Sequence, residues 1–240
     1  MTRTLTIAQR ELTALFFSPV AYLVLGVFAF IASGVFVLYI FAEGQPAELR
    51  HQFTWLVWLL VFLAPAISMR LVSEELRSGT IELLMSAPVN DAQVICGKWL
   101  GAMAFFLCLL VPLLVQAILL QTVANPDLGP VFTGLLGLVL VGGLYLAIGV
   151  AVSSVTESQL IAYLITVLVA GMLSIGVGLL SNAAWATGWM TDVLFYVNVH
   201  QQYEEFAKGR LDVGHLVFFT SGIALFLFIA VLALQSKRWR

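Results

Sequence analysis

Charge is what this 240-residue sequence has least of: 13 acidic and 11 basic side chains make up 10% of it, against 61% hydrophobic residues. A soluble domain carries about 25% charged residues. The chain therefore cannot clothe itself in a hydrated surface, and it reads as an integral membrane protein. Cysteine is nearly absent. Cys96 and Cys108 lie at or inside one apolar run, which excludes a disulfide framework and any cysteine-based metal spacing. The three histidines, His51, His200 and His215, are dispersed, whereas metal sites need clustered ligands. A net charge of −2, with no basic tail or patch, argues against a nucleic-acid partner. A phosphate-binding loop is missing as well. It needs G-x-x-x-x-G-K-[ST], and the one Gly-Lys pair, Gly97-Lys98, is followed by Trp99 and has Ala92 where the first glycine belongs. The apolar runs hold almost no ionisable residues, which argues against an ion-coupled carrier, and no clustered His, Cys or carboxylates suggest an intramembrane enzyme.

What is present is apolar sequence in membrane-sized pieces. A helix needs about 20 apolar residues to cross the hydrocarbon core of about 30 Å. Six stretches qualify, at about 20–42, 53–73, 97–123, 131–153, 159–181 and 215–235, and residues 1–240 form one all-α polytopic transmembrane domain. The first run is longer than the apolar core of a signal peptide, about 7–15 residues, and is a retained span. Before it, Leu5, Ala8, Leu12, Leu15 and Phe16 follow helical spacing with Arg3, Arg10 and Glu11 off that face, predicting an interfacial elbow helix that Ser18-Pro19 ends. Pro65 sits near the end of span two, and Pro112, Gln116 and Gln121 lie within span three. These glutamines either meet cargo or bond neighbouring helices, and the substrate itself is unreadable. Small residues recur every fourth position at Gly143, Ala147 and Ala151 and at Thr166, Ala170, Ser174 and Gly178. Such rows let helices approach closely, within the chain or across a dimer seam. Residues 182–213 are rich in aromatics and predict one or two helices on the far leaflet, either an aromatic anchor belt or a lid or platform.

Six spans put both termini on one side. Arg3, Arg10, Arg70, Arg77, Lys98, Lys237, Arg238 and Arg240 share that side, and Arg50, Lys208 and Arg210 lie on the other. Basic loops stay in the cytoplasm, so both termini and the charged stretch 66–102 are expected there. That stretch reads as a stalk carrying Glu74, Glu75 and Arg77, then a glycine turn at Gly79, because glycine takes the left-handed conformation that closes a helix. Thr80 can cap a new short helix, Glu82 suits its positive end, and Pro88 ends it. Asn90 and Gln93 resemble the capping box of span three. The short helix would expose Ile81, Leu83 and Leu84. It can dip into lipid headgroups or dock in a groove on a soluble partner. Glu74, Glu75 and Glu82 oppose the anionic leaflet and favour docking.

The run Pro65-x-x-x-Met69-Arg70-x-x-x-Glu74-Glu75-x-Arg77-x-Gly79-Thr80-x-Glu82-x-Leu84-x-x-x-Pro88, followed by Gly97-Lys98, resembles the coupling region of ABC-2-type transporter permeases. The subgroup it most resembles contains the gliding-motility and copper-enzyme-maturation permeases. Arg10-Glu11, Phe17-Ser18-Pro19-Val20-Ala21-Tyr22 and Phe206-Ala207-Lys208-Gly209-Arg210-Leu211-Asp212 are similar to that subgroup too. The resemblance implies a non-catalytic permease subunit of an ATP-driven exporter in the bacterial inner membrane. It implies a coupling region at about 74–90, with Glu74, Glu75 and Arg77 as stalk and rim, Gly79 as turn and Thr80 as cap. Glu82, Leu83 and Leu84 would face an ATPase, with Pro88 closing the element. No cofactor is expected in this chain, since ATP and Mg would sit on the partner. The implied partners are two copies of a separate ATPase subunit, a second permease copy or a related permease, and a periplasmic auxiliary protein. The same sequence also suits a mechanotransmitter that passes ATP-driven motion to a periplasmic partner without moving a solute.

Overall fold

Proline has no backbone N–H and a fixed φ, so it suits the first turn of a helix rather than its interior. Pro19 accordingly turns the first corner. In the computed structural model, which describes residues 2–40, 48–80, 90–124, 126–181 and 188–238, helix α1 (Thr2–Phe16) stops short of Ser18 and α2 (Pro19–Ile40) begins at the proline. There follow α3 (Arg50–Ser68), a short α4 (Ser73–Ser78), α5 (Asp91–Leu109), α6 (Val111–Val123), α7 (Leu128–Val155) and α8 (Gln159–Gly171). A π-helical turn at Met172–Gly176 leads to α9 (Val177–Ser181), α10 (Trp189–Val197), α11 (Val199–Ala207) and α12 (Val213–Arg238). No strand occurs among the described residues, and the protein is all-α. Six helical stretches are long and apolar enough to cross a membrane: Pro19–Tyr39, Arg50–Ser78, Asp91–Val123, Leu128–Val155, Gln159–Leu180 and Val213–Lys237.

Three stretches are interrupted, the second stretch by the turn at 69–72 between α3 and α4. In the third, the N–H of Leu110 is shared between the carbonyls of Phe106 and Leu107 at 3.2 Å each, and Pro112 has no donor to continue the ladder. The fifth carries the π-turn, where one extra residue is held in the helical ladder.

The centre of the bundle is α7. Lipid tails are as apolar as leucine, so helices associate in a membrane through close packing and hydrogen bonds rather than through escape from water. Helix α7 supplies the close packing, with α3, α5, α8, α11 and α12 all against it. A Cβ on Gly134 would lie 2.5 Å from the Phe53 ring, one on Gly142 2.2 Å from Phe106, and one on Gly149 1.8 Å from the Ser68 hydroxyl. Gly143, Ala147 and Ala151 are buried, as are Thr166, Ala170 and Ser174. Both small-residue rows therefore serve contacts within the chain. Tyr145 and Ser174 join them through a hydroxyl–hydroxyl hydrogen bond of 2.5 Å. Gln116 bonds neighbouring helices: the Gln52 amide donates to its oxygen at 2.5 Å and to Ala32 O at 3.0 Å, and Gln116 donates to Ser33 Oγ at 3.2 Å.

The glycine face makes a direct prediction. Gly142→Ala must displace the Phe106 ring, and overpacking of this kind costs roughly 1–3 kcal/mol. Its Tm in detergent is expected to fall, whereas Gly26→Ala, with nothing within 4 Å of the new methyl, is expected to match the wild type.

Candidate functional site

The charged side chains predicted to form a cytoplasmic element lie where α1, α4 and the start of α5 converge. Each element is built for the position. Helix α5 begins at a capping box: Asn90 Oδ1 accepts from Ala92 N–H at 3.4 Å and Gln93 Oε1 accepts from Asn90 N–H at 3.2 Å. Helix α4 has no cap of its own. The hydroxyl of Ser153, from α7, accepts from the N–H groups of Val72 at 3.0 Å and Ser73 at 2.9 Å, donors that a helix start otherwise leaves unpaired. Glu74 and Glu75 occupy the first turn of α4 and Arg77 the last, as the helix dipole favours. Gly79 follows at φ 71°, the left-handed conformation that costs other residues most.

Lys98 sits at the middle of this junction with its side chain only 1% exposed. An ammonium has three donors and no acceptor, and Lys98 has three oxygen partners: it donates to Glu11 Oε1 of α1 at 3.0 Å and to the Leu71 carbonyl at 2.6 Å, and it pairs with Glu75 Oε1 of α4 at 2.9 Å. Arg10 then bridges the same two carboxylate oxygens from the outside, at 2.8 Å each. The hydrogen bond that Arg10 donates to Glu11 raises the Arg10 pKa, against burial, and the charges of Glu11 and Glu75 add to it. The second oxygen of Glu75 is buried without a hydrogen-bond partner. Two cations thus face two carboxylates, with Lys98 closed to water and Arg10 half exposed on the outside.

Close backbone approach makes this geometry reachable. A Cβ on Gly97 would stand 2.8 Å from Ile7, and one on Gly101 2.7 Å from the Ala8 carbonyl. The Gly97-x-x-x-Gly101 spacing thus lays α1 flush on α5. Arg70 ties the other end of α1 by donating to the Ala14 carbonyl at 3.3 Å and to the Ser18 hydroxyl.

The residues expected at the coupling region are separated by this arrangement. Glu75 turns inward to Lys98 and Arg10 and leaves the rim. Glu74 is exposed beside a small cleft of about 140 Å³ shared with Glu11, Ala14 and Arg70. Arg77 is exposed and lines a larger cleft of about 570 Å³ with Met69, Glu157 and Leu160. Gly79 and Thr80 are exposed, with the Thr80 hydroxyl 2.8 Å from that of Ser78. Glu82, Leu83, Leu84 and Pro88 lie outside the described residues. The side of α1 that packs on the rest of the chain is a different stripe, Ile7, Glu11, Leu15, then Ser18, and Leu5 on the apolar face is 62% exposed. Glu11 lies off the apolar face and on this packed stripe, where it meets Lys98.

At the opposite end, α11 is docked on the start of α7. Tyr203 and Phe206 fill the space left by Gly137, and Thr133 Oγ1 donates to the Phe206 carbonyl at 2.6 Å. Asn198 caps α11 by accepting from His200 N–H at 2.9 Å and Gln201 N–H at 3.3 Å. His200 stacks on Trp58 of α3 with ring centroids 4.4 Å apart, and its Nε2 is 3.6 Å from Glu204. Burial lowers the His200 pKa, and the Glu204 charge opposes that shift. Among the described residues no group of three or more His, Cys, Asp or Glu could hold a metal ion.

A family model described as ABC-2 family transporter protein matches residues 5–235, nearly the whole chain. No curated protein matches it.

Two predictions come from the charge sites. Removing one member of a buried ion pair costs about 3–5 kcal/mol, whereas removing the whole set is often near neutral. Lys98→Met is therefore expected to lower the Tm in detergent strongly, and adding Glu11→Gln with Glu75→Gln is expected to recover part of the loss. At the other end, a lowered His200 pKa means that the unfolded segment binds the proton better. The stability contributed by neutral His200 is full above the ordinary value of about 6.5 and is lost as the pH falls below it. Amide exchange of residues 199–207, corrected for intrinsic rates, is expected to speed up on acidification in the wild type. His200→Gln is expected to remove most of that acid sensitivity.

Proposed function

We propose that this chain, which belongs to the ABC-2 transporter family, is the permease subunit of an ATP-driven exporter whose ATPase is a separate polypeptide. The family makes it a membrane component of an ABC transporter. The exporter reading goes further and draws on one observation above all. The root of the stalk, Glu75, is fixed in a buried charge cluster, while its tip, from Arg77 through Gly79 and Thr80, is exposed at the same end of the bundle. A rigid root with an accessible tip is what an element needs if it is to receive a push from outside and pass it on. Glu82, Leu83 and Leu84 follow the tip directly and would meet the ATPase, with Glu74 and Arg77 at the rim. ATP and Mg would be held by the ATPase, since no phosphate-binding loop occurs in the sequence.

The end that carries Arg3, Arg10, Arg70, Arg77 and Lys98 is assigned to the cytoplasm by the distribution of basic residues. The opposite end gathers Glu48, Arg50, Asp127 and Lys208 round a cleft of about 200 Å³ and would face the outside of the inner membrane. A permease pair with two ATPase copies would enclose the path. The transmitter reading takes support from α11: bonded to α7 through Phe206, it would carry any movement of α7 to an outer partner. Reconstitution of permease and ATPase alone separates the two, since ATP-dependent movement of a solute across the membrane would rule out pure transmission.

The stalk turn supplies the mutational test. Nothing lies within 4 Å of a Cβ at Gly79, so a substitution there acts through the backbone alone. A left-handed residue costs roughly 1–2 kcal/mol, least for asparagine and most for β-branched side chains. Gly79→Val and Glu82→Ala are expected to reduce recovery of the ATPase with the permease several-fold, with Gly79→Asn close to wild type. Unchanged recovery and ATPase activity in both Gly79→Val and Glu82→Ala would overturn the coupling role.

A further inference from the structure

We propose that Lys98 is a positioning residue that makes α1, α4 and the first part of α5 one moving body, so that the elbow helix travels with the stalk during the ATPase cycle. The inference rests on the permease reading and adds the route by which motion leaves the stalk.

The stalk reaches the spans through few connections. Its start is held by Ser153 of α7 through two backbone hydrogen bonds, and its flank by Glu75. Glu75 meets α5 at Lys98 and α1 at Arg10, and Glu11 of α1 meets the same ammonium. Lys98 donates to Glu11 and to the Leu71 carbonyl and pairs with Glu75, and each of these partners comes from a segment other than α5. Displacing α4 alone would leave a charge stranded where the side chain is 1% exposed, which is costly. Moving α4, α1 and the lower part of span three together keeps every contact of Lys98 and Arg10, and of the connections above gives up only the two hydrogen bonds to Ser153. The glycine contacts at Gly97 and Gly101 act in the same sense, since α1 cannot pivot on α5 without separating the two surfaces. Movement of the block is then taken up at the first weak point in span three. That point is the break at Leu110, followed by Pro112.

The test uses the permease and its ATPase purified together in lipid nanodiscs. Cys96 and Cys108 are replaced by alanine, and Lys98→Met is combined with Arg10→Cys and Glu75→Cys. One sample is left unlinked, and the other is joined by a short bis-maleimide between the two new cysteines. Amide exchange over residues 188–207, at the far end, is compared with and without a non-hydrolysable ATP analogue. The cysteine-free parent is expected to show a nucleotide-dependent change. The unlinked variant is expected to keep its bound ATPase and lose that change, and the linked one to regain it. A response of parental size in the unlinked protein, or no recovery on linking, overturns the proposal. Where the combined variant does not fold, Glu75→Gln alone serves: a reduced response supports the inference and a full one overturns it. Absence of a bound ATPase from the wild-type preparation would instead overturn the permease reading, together with everything built on it.

Discussion

A lysine ammonium buried beside a membrane has to be met on every side, and that requirement shapes the basic end of this protein. Lys98 lies on α5 and finds no acceptor there. Its three partners come from α1, from α4 and from the turn between α3 and α4. Charge desolvation is expensive enough that these pieces cannot take independent positions. The elbow helix lies where it does because Glu11 must reach Lys98. Helix α4 is held against α5 because Glu75 reaches the same ammonium. Arg10 closes the outside of the cluster and balances the second carboxylate.

Away from that junction, the bundle is held by shape. Lipid offers α7 no reason to bury leucine, so the contacts that distinguish the folded arrangement are those that tails cannot imitate. These are ring edges seated over glycine, as with Phe53 on Gly134 and Phe106 on Gly142, and bonds between buried polar groups. Tyr145 with Ser174, Gln52 with Gln116, and Trp99 Nε1 donating to the Gly143 carbonyl at 3.0 Å are of this kind. Each links two helices distant in sequence, and each would be left unsatisfied in hydrocarbon if the helices parted.

Periodic features were legible in the sequence, and pairings across sequence distance were not. Apolar runs disclose helices that cross a membrane because length and hydropathy are local properties. The family resemblance was carried by local motifs, and the family match covers residues 5–235; the narrower subgroup stays a matter of resemblance. Glu75 shows the limit. In the sequence it is one of two adjacent glutamates in a charged stretch, and nothing local says which one turns inward. The answer depends on Lys98, 23 positions away, and on Glu11, farther still. A signal was nonetheless available. Gly97-Lys98-x-x-Gly101 places a charge between two small residues on one helix, a pattern that implies another backbone pressed against that face. Arg10-Glu11 in an amphipathic helix offers the complementary charge. Polarity alone put Glu11 off the apolar face and could not say what it meets there, because an amphipathic reading ranks residues by apolarity and has no term for a buried partner.

Stiff and yielding parts of the chain then fall in an order. The basic end is fixed by charge, and the middle of α7 by close packing. Span three breaks at Leu110 just beyond Phe106, which packs on Gly142, and the π-turn of span five contains Ser174, which bonds Tyr145. Both irregularities therefore adjoin or include contacts with α7. A helix loaded at one end bends where its hydrogen-bond ladder is broken, and not along its length. Force entering at α4 would accordingly pass through Lys98 into α5 undiminished and be spent at Leu110, below the Gln52–Gln116–Ser33 cluster that fixes α6 to α2 and α3. The lower half of span three belongs to the stalk in this sense, and the upper half belongs to the outer wall.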